Sequence, residues 1–374
     1  MIDYLEIRNR NREHIGIIDT AKSIIWNDAF YGVGDFEIHM QATPPALELL
    51  QIGNYVTRTD NKHIGIIERI DIGFEPENGR MITATGSFAK TLLSRRVIYN
   101  LTGNTVYPAV ISGNVETGVR SLVNANMIAA ADAARNVDFF ELGALSGITQ
   151  RIVDETGAAA RKQTSYDNLR EYTDKVLQEY KIGSYVGFDR ETLKLQYIVV
   201  PGVDRSVDNT GGVSPIVFSQ EFDNLSSSDY SYDESALKNA VLVGGAGEGA
   251  ERFYTLLPGS GTGIDRREVF VDASSQSRTY KDQNDVEKTY TNAEYAQVLA
   301  TQGMQALVDR VIVETFAGEV DITNSGLRLG VDFDTGDLVT VQDNYIGKYI
   351  TARIVGVTEV QDDDGYSISV DFGE

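Results

Sequence analysis

Apolar and polar residues alternate with a period of two over long stretches at both ends of the chain. In "HIGIIERIDIG" (63–73), Ile64, Ile66, Ile70 and Ile72 share one parity, with Gly65, Arg69 and Asp71 on the other. Ile350, Ala352 and Ile354 repeat that face near the C-terminus. A period of two puts successive side chains on opposite faces of a strand. The runs "LKLQYIVV" (193–200), "NAVLVGG" (239–245) and "REVFVD" (267–272) read as further strands.

In the interior the spacing changes to three and four. Leu169, Tyr172, Val176 and Tyr180 predict a helix over 164–183, N-capped by Thr164 or Ser165 and ended by Gly183. A second helix over 291–310 opens with Thr291 and Glu294 in capping-box spacing. A weaker third covers 116–135, and short helical turns follow Thr43-Pro44-Pro45 and Ser87.

One strand–turn sentence is written twice. "IGNYVTRTDN" (52–61) and "TGDLVTVQDN" (335–344) match at an offset of 283 through Gly53 and Gly336, Val56 and Val339, Thr57 and Thr340, Asp60 and Asp343, and Asn61 and Asn344. The match continues from Gly65-Ile66-Ile67-Glu68 to Gly356-Val357-Thr358-Glu359 at an offset of 291. Beyond an acidic turn, Gly79 and "MITAT" match Gly365 and "SISVD" at 286. Both copies therefore predict strand, Asp-Asn turn, strand, acidic Gly turn, strand. Three such strands expose edges that small β-domains hide by closing.

The expected fold class is α+β, mostly β, with two related antiparallel β-barrel domains at the two ends of the chain. The first covers 1–98, a central α+β domain 99–215, and the second 216–374, with closing strands 320–374 and a helical excursion around 274–310. "SSQSRTYKDQNDVEK" (274–288) reads as a mobile excursion on the second barrel.

Composition narrows the function. At 374 residues, 42% apolar and 24% charged, the chain has the balance of a soluble protein of two or three domains. Its 19 Tyr and 35 Gly favour strands and tight turns. With no Cys, disulfides and thiolate chemistry are excluded, consistent with folding in a reducing cytoplasm. "MIDYLEIRNRNREH" lacks the apolar stretch of a signal peptide, and no apolar run approaches the ~20 residues of a spanning helix. The net charge of −22 disfavours specific nucleic-acid binding, yet lets DNA pass without sticking.

Candidate chemistry is sparse. "VLVGGAGEGA" (241–250) holds Gly245-x-Gly247-x-x-Ala250, an outline of the dinucleotide fingerprint. The helix that must follow is stopped by Pro258 and Gly259, and Glu248 opposes phosphate, so a turn between strands is the better reading. His14, His39 and His63 are scattered, with edge or exposed positions expected. Asp362-Asp363-Asp364 lacks calcium-loop spacing and reads as a solvated turn. Arg95-Arg96 and Arg266-Arg267 read as ordinary ion-pair partners. No catalytic, cofactor or metal residue is expected, and the chain is read as a non-enzyme.

The order of several segments resembles the hub, or tail-associated (Tal-like), proteins at the distal end of long non-contractile phage tails. They are "IIWNDAFYGVGDFEIHM" (24–40), "LLQIGNYVTRTDN" (49–61), "MITATGSFAKTLLSRRVI" (81–98), "GNVETGVRSLVN" (113–124), "PGVDRSVD" (201–208), "FSQEFDNLSSSDYSYD" (218–233), "LKNAVLVGGAGEG" (237–249), "GIDRREVFVDA" (263–273) and "GVDFDTGDLVTVQDN" (330–344). The resemblance covers essentially the whole chain. It implies a homotrimer whose two barrels per chain form a pseudo-hexameric ring at the virion's tail tip, assembled in the bacterial cytoplasm. The ring would continue the tube below the hexameric distal tail protein, with the tape-measure C-terminus in its lumen and DNA passing during ejection. Family members often carry a C-terminal extension with a fibre or wall hydrolase. This sequence stops at Glu374, so tail-tip fibre or receptor-binding proteins are expected as separate partners. Two competing readings are a β-rich glycan-binding adhesin of the tail tip and a carboxylate-based hydrolase of wall polymers.

Overall fold

A computed structural model describes residues 2–76, 79–102, 105–153, 157–257, 259, 261–281, 287–308, 310–320 and 326–373. The chain forms two compact units: Met1–Asp229 together with Phe316–Glu374, and Tyr230–Thr315. The expected boundaries near 98 and 215 therefore both fall inside the first unit.

The first unit opens with β1 (Leu5–Arg8), β2 (His14–Ile18), β3 (Ser23–Ala29) and β4 (Asp35–Gln41). Helix α1 (Pro44–Leu49) follows, then β5 (Tyr55–Thr57), β6 (Ile64–Glu75) and β7 (Gly79–Phe88). Strict alternation on β3 and β4 buries Ile24, Trp26, Phe36, Ile38 and Met40, and the cross-strand pairs Trp26–Phe36 and Ile24–Ile38 bring them together. Helix α1 starts where Thr43 Oγ1 accepts the Ala46 N–H and Pro44 supplies a helical φ.

The connecting segment carries a 3₁₀ turn (Ala89–Arg95), helix α2 (Val115–Val123), strand β8 (Phe140–Leu142), helix α3 (Leu169–Glu179), and strands β9 (Gly183–Asp189) and β10 (Lys194–Val200). Helix α2 ends in a π turn, Asn124–Ile128, well short of the predicted 135. The cap of α3 is Asn168, whose side chain accepts from the N–H groups of Arg170 and Glu171, while Thr164 belongs to a strand, Arg161–Thr164. Leu169, Val176 and Leu177 face a core with Val119, Val123, Leu195 and Tyr197. Lys90 reaches across to Asp174 at 2.7 Å, both nearly inaccessible. Burial pushes the lysine down and the carboxyl up, against their mutual attraction.

After β11 (Val217–Ser219) the chain enters the second unit within β12 (Asp229–Asp233). Strands β13 (Ala240–Gly244), β14 (Tyr254–Leu257) and β15 (Glu268–Asp272) form a sheet in the order β14-β13-β15. Helix α4 (Asn292–Val308) lays Tyr295 and Leu299 on Val241 and Val243. Thr291 and Glu294 cap it reciprocally, through Thr291 N–H to Glu294 Oε2 at 2.8 Å and Glu294 N–H to Thr291 Oγ1 at 3.3 Å. Part of the expected mobile tract, 282–286, lies outside the described residues. Strands β16 (Val313–Val320), β17 (Leu338–Asp343), β18 (Lys348–Asp362) and β19 (Gly365–Gly373) complete the chain.

A thirteen-stranded sheet has the path β12-β16-β19-β18-β3-β4-β7-β6-β5-β1-β2, with β17 and β11 branching from β18. The two ends of the chain are thus joined within one sheet, by β18 against β3. That path does not close on itself among the described residues. Each half repeats the same five-strand order: β3-β4-β7-β6-β5 in the first and β12-β16-β19-β18-β17 in the second. Chain order within the two halves is also the same. The first half turns from β3 to β4 through residues 30–34, whereas the second holds residues 234–312, the bulk of the Tyr230–Thr315 unit, at that point.

Candidate functional site

The duplicated residues begin in one geometry and diverge. Gly53 and Gly336 both have positive φ, +85° and +100°, where a side chain is strained. Each donates to an isoleucine carbonyl, Gly53 to Ile67 at 2.8 Å and Gly336 to Ile354 at 2.7 Å. The same isoleucines donate back to the next residue, Ile67 to Asn54 O and Ile354 to Asp337 O, both at 2.9 Å. Val56, Val339, Thr57 and Thr340 are all buried. Beyond them the copies part. Thr57 pairs with Ile64 across six intervening residues, but Thr340 pairs with Thr351 across ten, the ladder running on to Asp343 and Lys348. Asp60 therefore faces Arg58, while Asp343 caps a turn by accepting from Tyr345 and Ile346 N–H. Asn61 accepts from His63 N–H and Asn344 from the Gln342 side chain.

Ladder register corrects the middle of the sequence match. Ile67 corresponds to Ile354, an offset of 287 in place of 291, and a bulge follows at the same point in both copies, between Ile67 and Arg69 and between Ile354 and Gly356. For the third strand the ladder gives 286, setting Thr85 against Asp371 and Gly86 against Phe372. From there Phe36 and Phe316 fall at equivalent rungs, opposite Gly86 and Phe372.

The seam between the halves concentrates charge. Along it β18 pairs with β3 from Gly356–Ala29 to Gln361–Ile24. Arg58 forks onto Glu359 at 2.7 and 3.0 Å, with both side chains 3% exposed, and onto Asp60 at 2.9 and 2.7 Å. The Tyr366 hydroxyl donates to Glu359 at 2.6 Å. Burial opposes the Arg58 cation, but its two carboxylates more than offset this and raise its pKa. Burial raises the Tyr366 hydroxyl, and the facing Glu359 raises it further.

Beside this pair, Asp28 lies 2.8 Å from His63 Nε2 and accepts from the Thr335 hydroxyl at 2.7 Å. Lys62 bonds Asp334 at 2.7 Å. Burial pushes the Asp28 carboxyl up, yet His63, Lys62 and Thr335 outweigh it and hold it far below the usual carboxylate range. A cleft of about 250 Å³ opens beside Asp28, Arg58, Lys62, Asp334 and Glu359. Each cation here is matched by a carboxylate, and the arrangement works as a clamp between chain ends.

Histidine placement differs from expectation at two sites. His63 is buried and stacked on Phe88 at 4.5 Å, and His39 sits on the inner strand β4, its Nδ1 2.8 Å from Thr83 Oγ1. His14 is exposed on β2. The Gly245–Ala250 loop leads to a 3₁₀ turn and β14, with the Ala246 N–H donated to the Tyr295 hydroxyl and Arg252 bonded to Gly244 O and Gly245 O. Asp362-Asp363-Asp364 caps the β18–β19 turn. Arg95 pairs with Glu68, Arg266 with Glu268 and Arg267 with Glu234, while Arg96 bonds Arg135 O. Among the described residues no group of three or more His, Asp or Glu is placed to hold a metal ion. Asp28, Arg58 and Glu359 form no motif in the sequence that marks them as a cluster. The only local signal was a cation, Arg58, directly after an apolar strand.

The fold is similar to that of the 43 kDa tail protein of prophage MuSo2 from Shewanella oneidensis, with TM-score 0.58 and 12% identity over 99% of this chain and 98% of that one. A tail protein from Neisseria meningitidis MC58 gives TM-score 0.57 and 13% identity, over 99% and 96% of the two chains. No curated protein matches the sequence. The family model described as Siphovirus ReqiPepy6 Gp37-like protein matches residues 4–374, and the chain belongs to that family.

Proposed function

We propose that this chain is a structural phage tail protein, the hub of a siphovirus tail tip, and that it works by shape and closure without catalysis. Three copies close into a ring, each half-chain curling into one barrel, so that six similar modules surround a lumen. The observation that carries this reading is the internal repeat: two five-strand modules of one order, already joined end to end by β18 and β3. A trimer of such chains presents a sixfold face to a hexameric distal tail protein. It encloses space for the tape-measure C-terminus and a path for DNA in ejection, with fibre or receptor-binding proteins attached outside. The net charge of −22 suits a wall from which DNA slides.

The test is the assembly state. Sedimentation of the purified chain, with and without a distal tail protein, is expected to give three copies per particle. Averaged electron micrographs of that particle are expected to show a ring with six similar lobes. A chain that stays monomeric under both conditions would overturn the reading.

A further inference from the structure

The two halves differ at one edge. In the second half, Gly356–Gln361 of β18 has β19 on one side and β3 on the other. Its counterpart at the offset of 287 is Arg69–Phe74 of β6, which pairs with β7 on one side only, because β5 stops opposite Ile66. Among the described residues no strand takes the other side. Exposure follows the same division: every residue of Gly356–Gln361 is buried or half-buried, whereas Ile72 is 52% and Phe74 71% exposed. An open edge bearing large apolar side chains is a template for another strand.

The strand that would fill it is also identifiable. In the first half, β3 is the outermost strand and reaches the long strand of the other half. Its counterpart in the second half is β12, which ends the sheet beside β16 among the described residues and is mostly exposed. We infer that β6 of one chain receives β12 of a second copy, so that the joint between chains repeats the joint within a chain. The contact is head to tail, and it propagates until the ring closes. This inference rests on the ring reading and names its interface. The outer edge of β2, where Ile15 and Ile17 are also exposed, has no counterpart in the second half's order and so does not extend the repeat.

The absence of Cys makes the test clean. Ile72→Cys is combined in turn with Tyr230→Cys, Ser231→Cys and Tyr232→Cys, with unchanged Trp26 emission as the check on folding. A short bismaleimide is added to an equal mixture of ¹⁴N and ¹⁵N protein. The expected result is a ladder of covalent oligomers containing mixed-isotope peptides that join 69–75 to 229–233. Ile25→Cys with Val360→Cys, Cα partners within one chain, should give only unmixed, intrachain links. Oligomers that form without the β6–β12 link overturn this inference and leave the ring standing. A chain that never oligomerises overturns both.

Discussion

Arg58 and Glu359 stand 301 residues apart in sequence, yet each is 3% exposed and two hydrogen bonds join them. Two charges withdrawn from water gain little over an apolar pair of the same shape, but loss of one partner strands the other. The stranded groups differ here. Without Glu359, Arg58 keeps Asp60, which is 54% exposed and partly solvated. Without Arg58, Glu359 keeps, among the described residues, the Tyr366 hydroxyl as its side-chain donor. Arg58→Leu should therefore cost about 3–5 kcal/mol, Glu359→Leu less, and the double variant less than the sum of the two. Urea unfolding followed by Trp26 emission reads all three. Strict additivity would mean that the clamp is decorative.

At the scale of elements, the positive-φ glycines are where the two copies are most alike and where they can be told apart. A Cβ on Gly53 meets the movable end of Arg10 at 2.8 Å, whereas one on Gly336 lies 2.2 Å from the Phe30 ring. Gly53→Ala should cost about 1–2 kcal/mol from its backbone conformation. Gly336→Ala adds an overpacking cost of about 1–3 kcal/mol. Equal losses in chemical denaturation would show that the Phe30 ring yields freely. These glycines were legible in the sequence because few residues tolerate their φ. So was the third-strand offset of 286, pinned by Gly79 and Gly365 at the turn. The middle strand was misaligned by four residues for a simple reason: an even shift leaves a period-two pattern unchanged, and only the ladder fixes the register. The cap of α3 was misplaced because Thr164, Ser165 and Asn168 are all competent caps, and tertiary pairing claims Thr164 for a strand. Pairing between β3 and β18 was not legible at all, since nothing local in either strand specifies a partner so distant in sequence.

For the molecule as a whole, the repeat makes sense of the Tyr230–Thr315 unit. In the first half five residues, 30–34, suffice to turn β3 into β4, with Gly34 at φ +73° making the reversal. By the repeat, β12 and β16 need a link no longer than that, and the bulk of the second unit, residues 234–312, then stands as an insertion at that link, where extra chain is best tolerated. It has its own sheet, its own capped helix and a small core of Val241, Val243, Ala273, Tyr295 and Leu299. Replacing Glu234–Ile312 by the sequence of residues 30–34 keeps both strands of the hairpin and should leave the first unit folded. Trp26 makes this measurable, because it is the one tryptophan of the chain and is 1% exposed in the first unit's core. Its emission maximum and urea midpoint should be those of the full chain, while the far-ultraviolet helical signal falls with the loss of α4. The ring interface proposed for β6 and β12 survives this deletion by design, so the shortened chain should assemble as the full one does. If Trp26 is instead exposed in the shortened protein, the second unit is part of the first unit's folding and the insertion picture fails.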